Sequence, residues 1–148
     1  MKKLTIIGLL AAIVIACILL IRYHDKVATE RDQAFRERLS GTWSREEDNL
    51  PRRAGFARSI TWTNTVAADG SFVELSWFRH SYRTNTYQRT GTWFVKNGHL
   101  IETIKTSTNP SEVTPYSEVG RIVNSDATGF AVRWQHSTNE MAWQRVTK

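Results

Sequence analysis

Six tryptophans, at positions 43, 62, 77, 93, 134 and 143, are the side chains in this 148-residue chain best suited to building a binding surface. Large rings set among strand-forming residues can wall a pocket for a small apolar or amphipathic ligand, while a few converging polar groups fix its head. On that reading Trp62, Trp77, Trp93, Phe94 and Trp134 are the candidate walls, and Arg133, Tyr87 or Glu102 supply the polar contact. The same rings also pack cores, and both uses are open at these positions. His80, His99 and His136 have no His or Cys partner at metal-ligand spacing, so no metal is assigned. The chain has no G-x-S-x-G elbow and no glycine-rich phosphate loop, and no cofactor is assigned. Glu74, Glu102, Glu112, Glu118 and Glu140 are scattered, and hydrolysis would need two of them to face one another in a cleft, about 5 to 10 Å apart. With no catalytic residue indicated, the expectation is a binding protein and not an enzyme.

The elements that would position these residues are strands. From residue 40 on, short runs rich in Thr, Val, Ile and aromatic residues alternate with Gly, Asn, Asp and Pro. Eight strands are predicted: Gly41 to Arg45, Arg58 to Val66, Ser71 to His80, Tyr87 to Lys96, His99 to Thr106, Ser117 to Asn124, Gly129 to Gln135 and Glu140 to Val146. Ala68-Asp69-Gly70, Lys96-Asn97-Gly98 and Asp126-Ala127-Thr128-Gly129 read as tight turns, so sequence neighbours should pair. Val73, Leu75 and Trp77 alternate with Glu74 and Ser76, and Phe130, Val132 and Trp134 with Arg133 and Gln135. The apolar set of each is expected to face the core and the other to face water. Closing the meander removes two exposed edges, so the expected fold is all-β, a small antiparallel up-and-down barrel of about eight strands. An open sandwich of the same strands is the alternative.

Leu39-Ser40-Gly41-Thr42-Trp43 at the start of this region, with Gly91-Thr92-Trp93 and Lys96-Asn97-Gly98-His99-Leu100 midway, resembles bacterial lipocalin-like domains over residues 39 to 146. The resemblance implies a calycin-type barrel closed at one end by Gly41 and Trp43, with Arg145 of the last strand packed on the tryptophan ring. Those three roles would be structural. It also implies a small apolar ligand in the interior, although an eight-stranded barrel can equally be filled by its own side chains.

Ahead of the domain, an apolar run from Leu4 to Ile21 follows Lys2 and Lys3. Its 18 residues would cover about 27 Å as a helix, close to the ~30 Å hydrocarbon core of a membrane. Residues 1–25 are therefore expected to form an N-terminal transmembrane anchor, residues 26–39 a short charged helical stalk, and residues 40–148 the barrel. A second reading is open, because Val14-Ile15-Ala16-Cys17 resembles the lipobox of bacterial lipoproteins, in which Cys17 would carry lipid. Lys2 and Lys3 favour a cytoplasmic N-terminus, and five basic residues between Arg22 and Arg38 partly oppose them. The domain is expected on the extracytoplasmic, periplasmic side.

Residues 40–148 carry 13 Lys and Arg against 10 Asp and Glu, a surplus of only +3. The basic residues are dispersed, so nucleic acid is not an expected partner. The expected partners are the membrane and either a small ligand held in the barrel or another envelope protein. In the second case the barrel would be solid, and an outer face or the Arg52-Arg53 loop would make the contact.

Overall fold

Alternating strand residues separated by turns that force tight reversal leave the chain one economical solution, a meander closed on itself. The computed structural model describes residues 2–48 and 57–147, with side chains from residue 13 on. The Arg52-Arg53 loop and the side chains of Leu4–Ala12 lie outside the described residues. Helix α1 (Lys2–Leu39) precedes eight strands: β1 (Gly41–Glu47), β2 (Ser59–Val66), β3 (Ser71–Arg79), β4 (Thr84–Lys96), β5 (His99–Ser107), β6 (Tyr116–Ser125), β7 (Gly129–Trp134) and β8 (Glu140–Arg145). They form a closed antiparallel barrel in sequence order, β8 returning to β1. This is the expected up-and-down architecture, and the open sandwich is set aside.

The turns work as their residues require. Asn97 and Gly98 both adopt positive φ, 52° and 74°, which lets β4 reverse directly into β5. At the β6–β7 turn the Asp126 carboxylate accepts from the backbone N–H groups of Thr128 and Gly129, at 2.7 and 2.8 Å.

Helix α1 runs without a break through the expected boundary between anchor and stalk at residues 25 and 26. Lys26 and Glu30, four residues apart on its surface, pair at 3.8 Å. From Ile13 to Ile21 its large apolar side chains are exposed, with nothing else in the described chain packed on them. Among the described residues, no helix is long and apolar enough to cross a membrane; half of the Leu4–Ile21 run falls outside that description.

Several contacts fasten the helix to the barrel. Asp32 accepts from the backbone N–H groups of Asn97 (2.6 Å) and Gly98 (2.9 Å), bracing α1 on the β4–β5 turn. The helix end itself plugs the barrel: Leu39 is buried in the core and Phe35 packs against it.

The last carbonyls of a helix lack intrahelical donors and carry partial negative charge. Here barrel side chains supply the donors. Trp43 Nε1–H donates to the Leu39 carbonyl at 2.6 Å, and Arg145 donates to the carbonyls of Arg38 (2.6 Å), Ser40 (3.3 Å) and Ala127 (2.9 Å). The Arg145 guanidinium lies 4.2 Å from the centroid of the Trp43 ring, which is wholly buried. Gly41 has φ +141°, and a Cβ there would come within 2.6 Å of Arg145 Nη1, so this position excludes a side chain.

Side chains divide the barrel lengthwise. Around the helix end the interior is solid and apolar, built from Leu39, Trp43, Val66, Phe72, Trp93, Val95, Ile122 and Phe130 among others. Toward the opposite end, inward positions become polar. On β7 the expected alternation is present, with Phe130 and Val132 inside and Arg133 outside. On β3 the expected parity is reversed: Phe72, Glu74 and Ser76 are buried, while Val73, Leu75 and Trp77 lie on the outer face. Phe72 belongs to the closed-end core, and strand geometry then carries Glu74 and Ser76 inward with it.

Replacing Arg145 with Ala removes the shared donor of three carbonyls and the cation stacked on Trp43. The expected loss is about 2 to 3 kcal/mol of stability, read by urea unfolding. Arg145→Lys should recover only part of it, because an ammonium cannot reproduce the planar fork.

Candidate functional site

A strand exposes every second residue to the barrel interior, so side chains far apart in sequence meet when registers align. Glu102 on β5 lies directly opposite Glu118 on β6, and Glu74 on β3 lies opposite Arg89 on β4. These four groups, with Asn64 of β2 and Arg45 of β1, line a cavity of about 450 Å³ in the polar half of the barrel. That size falls within the ~300–1,000 Å³ range usual for small-molecule sites. Its apolar walls are Trp62, Phe78, Phe130, Trp134, Met141 and Trp143, and Gln135, His136 and Ser137 of the β7–β8 turn complete the lining. The turn belongs to the end of the barrel opposite α1.

The charges inside are arranged in partnerships that leave some groups over. Arg89 pairs with Glu112 of the β5–β6 loop in a close two-pronged contact and reaches Glu74 at 3.3 Å. Arg45 pairs with Glu47 at 2.6 Å and lies 4.4 Å from the centroid of the Trp62 ring. Glu102 and Glu118 have no ion-pair partner among the described residues. Asn64 is 3 % exposed, and its Oδ1 is a buried acceptor without a donor.

Proton affinities follow from this arrangement. Burial pushes Glu102 up to about 8, with repulsion from Glu74 and Glu118 adding to it and Arg89 opposing. Burial likewise pushes Glu74 up to about 7 against the attraction of Arg89. Glu118 is raised by burial, which the more distant Arg89 and His136 offset only in part. Burial acts on Glu112 too, but the hydrogen bonds from Arg89 outweigh it and hold that carboxyl below its ordinary value. Glu102 thus holds its proton at pH 7, poised to ionise if positive charge comes near.

Of the eight residues expected to bind ligand, Trp62, Glu102 and Trp134 line this cavity. Trp93 points inward but is locked in the closed-end core, its Nε1–H donating to the Ala67 carbonyl at 3.0 Å. Its neighbour Phe94 must point outward and is 41 % exposed. Trp77 is carried to the outer face by the parity of β3, beside Thr61 and Thr86. Arg133, next to inward Val132, lies on the surface in an ion pair with Glu140. Tyr87 is outside the lining and packs edge-on against Phe78, which belongs to it. Gly41, Trp43 and Arg145 meet at the closed end. Cys17 is a free, exposed thiol on α1.

Glu102, named as a polar contact, is at the centre of the cavity wall. Asn64, Glu74, Arg89 and Glu118 were not expected there. The available signal was a polar residue at every second position of β3, at Glu74 and Ser76, which reads equally as a wet outer face. Among the described residues, no group of three or more His, Cys, Asp or Glu is arranged to hold a metal ion. No protein-family model matches the chain, and no curated protein matches it.

Because burial raises Glu102 and Glu74, the folded state keeps protons that the unfolded chain, with ordinary carboxyls near 4.5, has released. That stabilisation is fully present below about pH 4.5 and is lost as pH rises through about 7 and 8. Glu102→Gln keeps the shape without the titration. Thermal unfolding from pH 5 to pH 9 should show the unmodified protein losing stability with rising pH and the variant losing distinctly less.

Proposed function

We propose that this chain is a membrane-tethered binding module of the lipocalin-like kind, whose barrel holds a small amphipathic ligand at the cell envelope. The observation that carries this reading is the cavity of about 450 Å³, lined both by aromatic rings and by hydrogen-bonding groups. A barrel filled by its own side chains would have no such space. The meeting of Gly41, Trp43 and Arg145 at the closed end supports the lipocalin-like reading.

Tethering rests on the apolar run of α1. Ile13, Val14, Ile15, Ile18, Leu19, Leu20 and Ile21 are exposed around the helix and need an apolar medium, which a bilayer supplies. Combined with Lys2 and Lys3 before the run, this supports a signal anchor with the barrel on the periplasmic side. Attachment through lipid on Cys17 would put the barrel at the same surface.

A second reading, an envelope interaction or assembly protein, is favoured by one feature. Val73, Leu75 and Trp77 form an apolar row on the outer face of β3, and Val73 is 41 % exposed. Such a row suits a protein contact more than solvent.

Native mass spectrometry of the full chain from its host's envelope extract separates the two. The binding module should carry a discrete small-molecule mass that is released chemically unchanged, is lost in Trp134→Ala and is retained in Trp77→Ala. A chain that stays ligand-free after incubation with the extract, and that crosslinks to a second protein unless Trp77 is replaced, would favour the interaction reading.

A further inference from the structure

The cavity has more carboxyl groups than guanidiniums, and the imbalance indicates what it would bind. Its carboxylates are Glu47, Glu74, Glu102 and Glu118, and its guanidiniums are Arg45 and Arg89. Arg45 is taken by Glu47 and the Trp62 ring, and Arg89 by Glu112 and Glu74. Glu102 and Glu118, side by side in register, are left without a cation. Asn64, whose side chain also meets Glu102, supplies a second sign. Its Oδ1 is a neutral acceptor in the same wall, buried and unpaired, and a group in that state costs roughly 1 to 3 kcal/mol unless a donor reaches it.

We infer that the cavity's ligand is a small organic cation, an amine or guanidine whose N–H donors meet Glu102, Glu118 and Asn64 while its apolar body lies against Trp62 and Trp134. The inference rests on the binding-module reading and names the ligand class for it. A carboxylate ligand would add negative charge beside Glu118 and make Glu102 still harder to ionise, and an alcohol would bring no positive charge to offset either carboxyl. A metal ion needs several ligands converging at one point, an arrangement the described His, Cys, Asp and Glu side chains do not provide. The ring of Trp134 adds attraction for a cation at its face, while Trp62, which already carries Arg45, adds apolar contact for the ligand's body. Proton affinity is consistent with this, because an incoming ammonium would draw the buried, neutral Glu102 into its ionised form.

Three probes with one chain length and different heads test the class: hexylammonium, hexanoate and hexan-1-ol. Each is titrated into the full chain in phosphatidylcholine nanodiscs while tryptophan fluorescence is followed, with empty nanodiscs as the blank. Hexylammonium should saturate at a concentration at least about tenfold below either other probe. Glu102→Gln and Glu118→Gln should each weaken hexylammonium by about tenfold while leaving the hexan-1-ol response in place, which shows that the cavity persists. Equal or tighter binding of hexanoate or hexan-1-ol overturns the cation assignment and leaves the binding module standing. Unchanged hexylammonium affinity in both variants overturns the assignment as well. No saturable response to any of the three removes both the assignment and the binding reading.

Discussion

A sheet curled into a barrel is only as closed as its last seam, and here that seam is narrow. Strands β1 and β8 pair over two residues, Trp43 with Arg145 and Ser44 with Gln144, whereas the other neighbours pair over five to nine. Arg145 compensates by acting across the seam. From β8 it covers the Trp43 ring on β1 and collects the carbonyls of Arg38 and Ser40, so one side chain joins the last strand, the first strand and the helix end. Without the seam, β1 and β8 would be free edges with unpaired backbone groups, prone to pairing with other chains. The solid core at this end follows from the same closure. With Leu39 and Trp43 occupying the bottom of the barrel, the remaining interior space lies toward the other end.

That remaining space is costly to line with carboxyls. An ionised group moved from water into a low-dielectric interior loses several kcal/mol unless it is paired and hydrogen-bonded. Two remedies operate side by side. Glu112 keeps its charge by pairing with Arg89, while Glu102, 8 % exposed and without such a partner, avoids the cost by holding its proton, and Glu74, which Arg89 only partly offsets, lies between the two. A barrel selected for stability alone would gain by replacing Glu102 and Asn64 with apolar residues of similar size. Local conflict with folding rules of this kind is the mark of a site kept for function.

Much of the fold was legible because strand propensity and turn chemistry agree. The Asn97-Gly98 turn demands positive φ and takes it, and each expected strand lies within three residues of its observed ends. The site was less legible, because alternation shows that a strand has two faces without showing which is inside. On β3 both faces are plausible: one carries Val73, Leu75 and Trp77, the other Phe72, Glu74, Ser76 and Phe78. The choice is made by Phe72 joining the closed-end core, a tertiary contact no local pattern contains. Glu102 and Glu118 are sixteen residues apart and meet through the β5–β6 register. Trp93 and Phe94 were both candidate walls, yet adjacent strand residues face opposite ways, so one of the two had to be outside. The bracing of Asp32 on the β4–β5 turn was equally hidden, since a single aspartate in a charged helix has no periodic signature.

The attachment of α1 to the closed end also fixes how the cavity is presented. Helix and cavity lie toward opposite ends of the barrel, the helix by Leu39 and Trp43 and the cavity by the β7–β8 turn at Gln135–Ser137. From Ile21 to Asp32, where the barrel is first contacted, α1 rises about 16 Å. A barrel carried on such a stalk would open away from the surface that holds it. A ligand reaching the cavity from that end would come from the aqueous side and not by lateral passage out of a bilayer. That geometry favours a ligand with appreciable solubility in water, and a charged amine with a modest apolar body has it. A long-chain neutral lipid would have to leave the membrane, cross water and then bury its tail among carboxyls. The carboxyl-rich wall and the placement of the cavity away from the helix, which have independent structural origins, therefore favour the same kind of molecule.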